Sequence, residues 1–231
     1  MEELGRIHQL LVPLTEGYTM TFNLEVILMT WIVIGILLFF GFMAVKKRHV
    51  VPGPMQVVGE LFVKNLYDLA DDALEEELGK KYAPMICALF LFLWMSNMLG
   101  LLPPIPGIPE FAEPTKDLNT PLGLGLLGFV IAHAAGIKAK GFKAYITTYF
   151  EPFAFMMPLN LIGELAKVVS ISFRLFGNIM GGSIIILVVS HLTYSILIPP
   201  ALFGFFGVFV GTIQAFVFTM LTTVYISVQV K

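Results

Sequence analysis

One cysteine, Cys87, stands in the whole chain, inside an apolar stretch. That excludes an intramolecular disulfide framework and a cysteine-based metal site, and leaves packing as its expected role. Charge is scarce as well. Acidic and basic residues make up 13% of 231 positions, and a formal net charge of −2 supplies no basic patch for a nucleic-acid partner. There is no Gly-x4-Gly-Lys-Ser/Thr loop to cradle a nucleotide phosphate, and neither a His-Glu-x-x-His nor a Gly-x-Ser-x-Gly pattern of a hydrolase. No fixed-period repeat, Gly/Ser linker or low-complexity block divides the sequence, so 1–231 reads as one domain. The opening "MEELGRIHQLLVPLTEGYTM" has no positive start, apolar centre or small-residue cleavage site, and the mature chain is expected to begin near Met1.

What remains is greasy. Hydrophobic residues form 57% of the chain and the mean hydropathy is +0.86, which places it among integral membrane proteins. The expected fold is all-α, with five membrane-crossing helices at 24–45, 84–102, 121–137, 154–192 and 200–229. The last two are too long for a hydrocarbon core of about 30 Å, since each would run roughly 45–55 Å as a helix. They must tilt, bend or protrude. Pro199-Pro200 separates them, which predicts a long antiparallel pair. Between the first two spans, residues 55–79 carry Val58, Leu61, Phe62, Leu66, Leu69 and Ala73 at helical spacing, above an acidic polar face. This predicts an amphipathic surface helix that packs against protein rather than anionic lipid.

Lysine and arginine are unevenly shared between the two sides. Lys46, Lys47, Arg48, Lys64, Lys80, Lys81, Lys138, Lys140, Lys143 and Lys231 fall on one, and only Arg6 and Lys116 on the other. The positive-inside rule then places the N-terminal segment 1–23 and the loop "PPIPGIPEFAEPTKDLNTP" outside, and the C-terminus in the cytoplasm.

The fourth span holds the unusual chemistry. Asn160, Glu164, Lys167, Arg174 and Asn178 share one side of the helix, with Ser170 at the edge of the line. Glu164 and Lys167 are three residues apart and can pair locally. Arg174 lies ten residues beyond Glu164, about 15 Å along the axis, and cannot share that carboxylate. A membrane-buried arginine costs roughly 3 to more than 10 kcal/mol, so this one needs an anion. No other acid lies at comparable depth in a span, which points to a carboxylate on another chain. In the last span Gln214, Phe218, Leu221 and Tyr225 share a face. Gly177, Gly181, Gly182, Gly204, Gly207 and Gly211 are expected mostly to let the last two helices approach closely, while glycine near Arg174 also leaves room for a neighbouring subunit. His133 and His191 sit on different segments and read as polar caps or packed side chains.

Several classes could own such a stripe. An ion-translocating subunit needs polar steps from each surface and a fixed charge between them. A secondary transporter more often shows inverted repeats, of which there is none. An interhelical hydrogen-bond donor is the purely structural reading of Arg174.

The stretches "ELAKVVSISFRLFGNIMGG" and "GTIQAFVFTMLTTVYISV", with "WMSNMLGLLPPIPG" and "GIKAKGFKAYI" in support, closely resemble the a-subunit family of F-type rotary ATP synthases. The resemblance implies a stationary, non-catalytic ion-channel subunit with no cofactor and no metal, and the lysine pattern with no targeting segment gives a bacterial cytoplasmic membrane as its expected location. Its implied partners are the c-subunit ring, the b subunits of the peripheral stalk and the lipid bilayer, within the whole synthase. Arg174 matches the arginine that meets the ring carboxylate. Glu164, Lys167, Ser170 and Tyr225 then fall toward a cytoplasmic half-channel, and Asn178 and Gln214 on the outward route.

The chain also departs from that family's pattern. Ser183 and Gly207 stand where a titratable pair is common, and Asn160 stands where glutamate is frequent, with Glu164 one turn later able to serve. The outward route is expected to run through Ser183, Asn178 and Gln214, with His191 near its entrance. Protons are the expected ion, and sodium stays open because the selecting carboxylate is on another polypeptide.

Overall fold

The computed structural model describes residues 9–15, 18–46, 53–74, 76–101, 113–150, 153–192 and 198–231. Arg6, Lys47, Arg48 and most of the loop between the second and third spans lie outside the described residues. The architecture is that of an all-α membrane protein with five helices long and apolar enough to cross a bilayer. These run Leu24–Met43, Glu77–Leu99, Asn119–Lys140, Met157–Leu192 and Pro200–Val230.

A two-stranded hairpin precedes them, β1 Gln9–Thr15 pairing antiparallel with β2 Tyr18–Asn23, with an irregularity between Pro13 and Thr15. Its second strand carries the period-two alternation Tyr18, Met20, Phe22 against Thr19, Thr21, Asn23. Helix α1, Leu24–Lys46, follows directly. It buries Met29 and Val33 against Leu99 and leaves Trp31, Leu38, Phe39 and Phe42 exposed. Such an apolar surface belongs in lipid or against another subunit.

Helix α2, Pro54–Leu74, stops five residues short of the expected boundary, and Leu78 to Tyr82 open the next helix instead. Helix α3, Glu76–Leu99, therefore starts well before 84. Pro84 lies inside it, where a proline gives up one backbone hydrogen bond. Phe62 meets Phe90 and Trp94, while the backbone at Gly79 approaches Asp71, so α2 runs back antiparallel along α3. The stripe Leu66, Ala70, Leu74 fixes that contact, as its apolar spacing requires.

Helix α4, Asn119–Lys140, begins where Asp117 Oδ1 accepts the Asn119 N–H at 3.0 Å. It ends at Gly141, whose positive φ of 82° suits a residue without Cβ, and α5, Phe142–Thr148, turns away from it. Helix α6 spans Met157–Leu192. After it, α7 Ile198–Phe203 and α8 Gly211–Val230 are joined by a π-helical segment, Gly204–Val210. The fifth span is thus a composite.

Contacts fix the relative directions. Asn97 reaches Gly211 and Trp94 reaches Thr212, so α3 opposes α8. Ser172 reaches Pro121, and the backbone at Gly125 faces Val168, so α4 opposes α6. The same direction is shared by α4 and α8, because Gly128 meets Thr222 and Gly136 meets Gln229. Between α6 and α8, Asn178 meets Gln214 and Lys167 lies over Tyr225, which is the antiparallel pair expected from the sequence. Successive spans alternate throughout. Lys46, Lys80, Lys81, Lys138, Lys140 and Lys231 consequently gather at one end of the bundle.

The core joins Leu93, Ile171, Leu175, Ala215 and Phe218, and a second cluster joins Ala70, Leu74, Ile86, Ala132 and Ile226. Buried threonines in α8 satisfy themselves: Thr219, Thr222 and Thr223 each donate to the carbonyl four residues earlier. Glycines do different work from the work expected of them. Of the six named from the last two spans only Gly182 faces the other helix, through Phe206. Gly207 and Gly211 pack on Leu101 and Asn97, and Gly177, Gly181 and Gly204 face open space. The close approach that matters is along α4. A methyl group on Gly136 would meet the Tyr145 ring at 2.6 Å and the Gln229 carbonyl at 2.8 Å, whereas one on Gly123 would meet nothing within 4 Å. Gly136→Ala should therefore cost about 1–3 kcal/mol. It should lower the thermal unfolding midpoint in detergent, while Gly123→Ala leaves it unchanged or higher.

Candidate functional site

The polar residues of α6 line the groove it forms with α8, and the fold sorts them into two groups. At the lysine-rich end, Lys167 Nζ donates to Glu164 Oε1 at 2.6 Å and lies 5.5 Å from the centre of the Tyr225 ring. Glu164 is the more sheltered partner, its side chain 15% exposed against 36% for Lys167. Beside them opens a cleft of about 400 Å³, lined by Asn160, Glu164, Lys167, Tyr145, Tyr149 and Gln229 among others.

That cleft rests on a hydrogen-bonded wall. Tyr145 donates its hydroxyl to Gln229 Oε1 at 2.9 Å and its oxygen lies 3.0 Å from that of Tyr149. Tyr149 in turn reaches His133 Nε2 at 3.0 Å, and Asn160 Nδ2 donates to the Tyr149 carbonyl at 3.0 Å. Burial pushes the Tyr145 phenol well above its ordinary range, and its contact with Tyr149 and the charge of Glu164 push it further. The phenol stays protonated and keeps its donor. Further in, a cavity of about 20 Å³ joins His133, Glu164, Lys167 and Tyr225. That is room for about one water.

At the opposite end, Asn178 Nδ2 donates to Gln214 Oε1 at 2.7 Å. Gln214 is 3% exposed and its Nε2 has no protein partner among the described residues, so a donor is left over in the groove. A second cavity, about 40 Å³, is lined by Asn178, Ser183, Gly207, Asn97, Gly100 and Glu113 among others. It can hold water.

Arg174 lies between the two groups, about 10 Å along the axis from Lys167 and about 6 Å from Asn178. Its side chain is exposed on the open side of the groove, and among the described residues it has neither an ion pair nor a hydrogen bond. Ser170, Gly177 and Gly181 continue that open surface.

The structure thus brings together Asn160, Glu164, Lys167 and Tyr225 at one end, and Asn178, Gln214 and Ser183 at the other. Ser170 is exposed and lines neither cavity. His191 is exposed in the last turn of α6, about 12 Å beyond Ser183, and is not among the described lining of the outer cavity. Residues the sequence reading did not select are Tyr145, Tyr149, Gln229, Asn97 and Glu113. Gln229 stands one turn after Tyr225 on the face already noted in the last span; Tyr145, Tyr149, Asn97 and Glu113 come from other elements, and no spacing within one segment announces them.

Residues 27–227 match the protein family described as ATP synthase A chain. The ATP synthase subunit a of Moorella thermoacetica is 36% identical over 198 residues, 86% of this chain and 87% of the relative. The sodium ion specific ATP synthase subunit a of Propionigenium modestum is 39% identical over 213 residues, 87% of this chain and 72% of the relative. The chloroplastic ATP synthase subunit a of Stigeoclonium helveticum is 36% identical over 211 residues, 90% and 85% respectively.

The amide pair at the centre of the groove makes a stability prediction. Asn178→Leu and Gln214→Leu should each destabilise the purified protein by about 1–3 kcal/mol, because each strands the other amide. The double variant should cost clearly less than the sum of the two in denaturant unfolding. Strict additivity would mean that the two side chains do not work as a pair.

Proposed function

This chain belongs to the ATP synthase A chain family, and we propose that it is the stationary ion path of the membrane sector of that complex. The observation that carries the reading is the position of Arg174: an exposed cation without a partner among the described residues, between two polar cavities that open at opposite ends of one groove. Protein packed around a guanidinium in hydrocarbon would normally supply an anion. Here the open face of α6 offers the charge to a neighbour, and the glycines beside it let that neighbour come close.

The neighbour is a carboxylate-bearing helix of the c-subunit ring. Opposite Arg174, the ring carboxylate is held ionised, since a nearby cation favours the charged form. An arriving ion therefore leaves its carboxylate before the site passes the arginine. The same charge keeps ions from crossing directly between the two routes. The cleft at Asn160, Glu164, Lys167 and Tyr225 serves as the cytoplasmic half-channel. Asn178, Gln214 and Ser183 serve the outward half-channel. With no direct crossing, the ring has to turn for an ion to traverse the membrane, and ion flow is tied to rotation and so to ATP synthesis elsewhere in the complex.

The lysines gathered at one end support a cytoplasmic C-terminus and an outward start in a bacterial cytoplasmic membrane. The exposed apolar faces of α1 and α4 serve lipid and the b subunits of the peripheral stalk. The chain acts without covalent chemistry, cofactor or metal. Its ion is H+; the 39% identity to a sodium ion specific relative supports Na+ as the second reading.

ATP-driven ion uptake into vesicles carrying the assembled complex tests this. Arg174→Ala should abolish coupled uptake while the complex still co-purifies whole, and uptake by the unaltered complex should proceed in sodium-free buffer. Undiminished uptake in Arg174→Ala would contradict the reading, and a strict sodium requirement would replace the ion.

A further inference from the structure

The outer cavity contains one ionisable side chain that the path so far does not use. Glu113 lies between the second and third spans, immediately before the 3-10 turn Pro114–Lys116, and its carbonyl accepts the Lys116 N–H at 2.9 Å. The turn is fastened to the bundle. Thr115 is fully buried and donates to Asn97 Oδ1 at 3.0 Å, while Asn97 Nδ2 donates to the Gly211 carbonyl at 2.8 Å. On the other flank, Asp117 takes a hydrogen bond from Asn23 and caps α4.

This fastening directs the Glu113 side chain inward. Its carboxyl group occupies the space over Gly100, where a Cβ would collide with it. There it lines the same cavity as Asn178, Ser183 and Gly207. Of the residues described around that cavity, Glu113 is the only one with a side chain that titrates. The facing residues of α6, α8, the π-helical segment and α3 are uncharged, and Lys116 is the one charge that acts on the carboxyl group from its own turn.

We propose that Glu113 is the proton-relaying carboxylate of the outward half-channel, exchanging protons through cavity water with the groove at Asn178 and Gln214. The inference rests on the ion-path reading above. It assigns the titratable step to a turn between helices α3 and α4, rather than to α6 or the fifth span, whose nearest positions are Ser183 and Gly207. Burial raises the carboxyl pKa to about 7, opposed by Lys116, so the group both binds and releases protons near neutral pH. A carboxylate at its ordinary value would be almost always empty there.

The test uses the assembled complex in sodium-free vesicles, with rates measured while the pH on the outward side is varied across neutrality. Glu113→Gln should lower coupled proton transport about tenfold or more with assembly intact. The wild-type step in rate near neutral outward pH should disappear in it. Glu113→Asp, one methylene shorter, should retain transport and shift that step. Transport in Glu113→Gln within about twofold of wild type would overturn the inference. So would a lowered rate with the wild-type pH profile, which would make Glu113 structural, or an unmoved step in Glu113→Asp. Arg174→Ala is measured alongside. If it loses transport while Glu113→Gln keeps it, only the assignment of Glu113 fails; if it keeps transport, the ion-path reading itself fails.

Discussion

The constraint on which the structure depends is a guanidinium placed in an apolar environment with no anion beside it among the described residues. Arg174 is seven residues from the Lys167 and Glu164 pair and four from Asn178, on a helix whose other exposed positions are largely apolar. Among the described residues no carboxylate meets that cost. On the proposed reading, the groove between α6 and α8 stays open toward a neighbour. Gly177 and Gly181 keep the surface beside Arg174 shallow, and core packing is confined to the other side of α6, at Val168, Ile171, Leu175 and Ile186.

Holding such a groove open requires rigidity elsewhere. Small residues at 125, 128, 132, 135 and 136 bring α4 against both α6 and α8, so three helices are fixed relative to one another without filling the groove. Buried threonines spend their hydrogen bonds on their own helix, and buried amides at Asn97 and Gln214 find partners across helices. Polar atoms are thus brought into the membrane region at two separated places, with the arginine between.

Much of this was legible in one sequence. Length and hydropathy located the five spans, and the 100° periodicity put Asn160, Glu164, Lys167 and Arg174 on one side of a helix. What was not legible came from outside any single segment. The second span was placed from residue 84, but α3 begins at Glu76, where it packs along α2. The π-helical segment turns through a smaller angle per residue than an α-helix, so faces extrapolated backward from Gln214 at helical spacing do not hold across 204–210. The glycines of the last two spans were read mostly as packing between those two helices because spacing carries no information on the partner. Glu113 and the Tyr145 and Tyr149 side of the wall are made by tertiary folding alone.

Proximity of the open face of α6 to the ring tests the central claim most directly. With Cys87 replaced by Ala, single cysteines at Gly177 and Gly181 would be paired with a cysteine beside the ring carboxylate in the assembled complex. The account predicts disulfide cross-links from both positions and none from Val130, on the exposed side of α4. Cross-linking from Val130, with none from Gly177 or Gly181, would place the ring on another face and contradict the role given to Arg174.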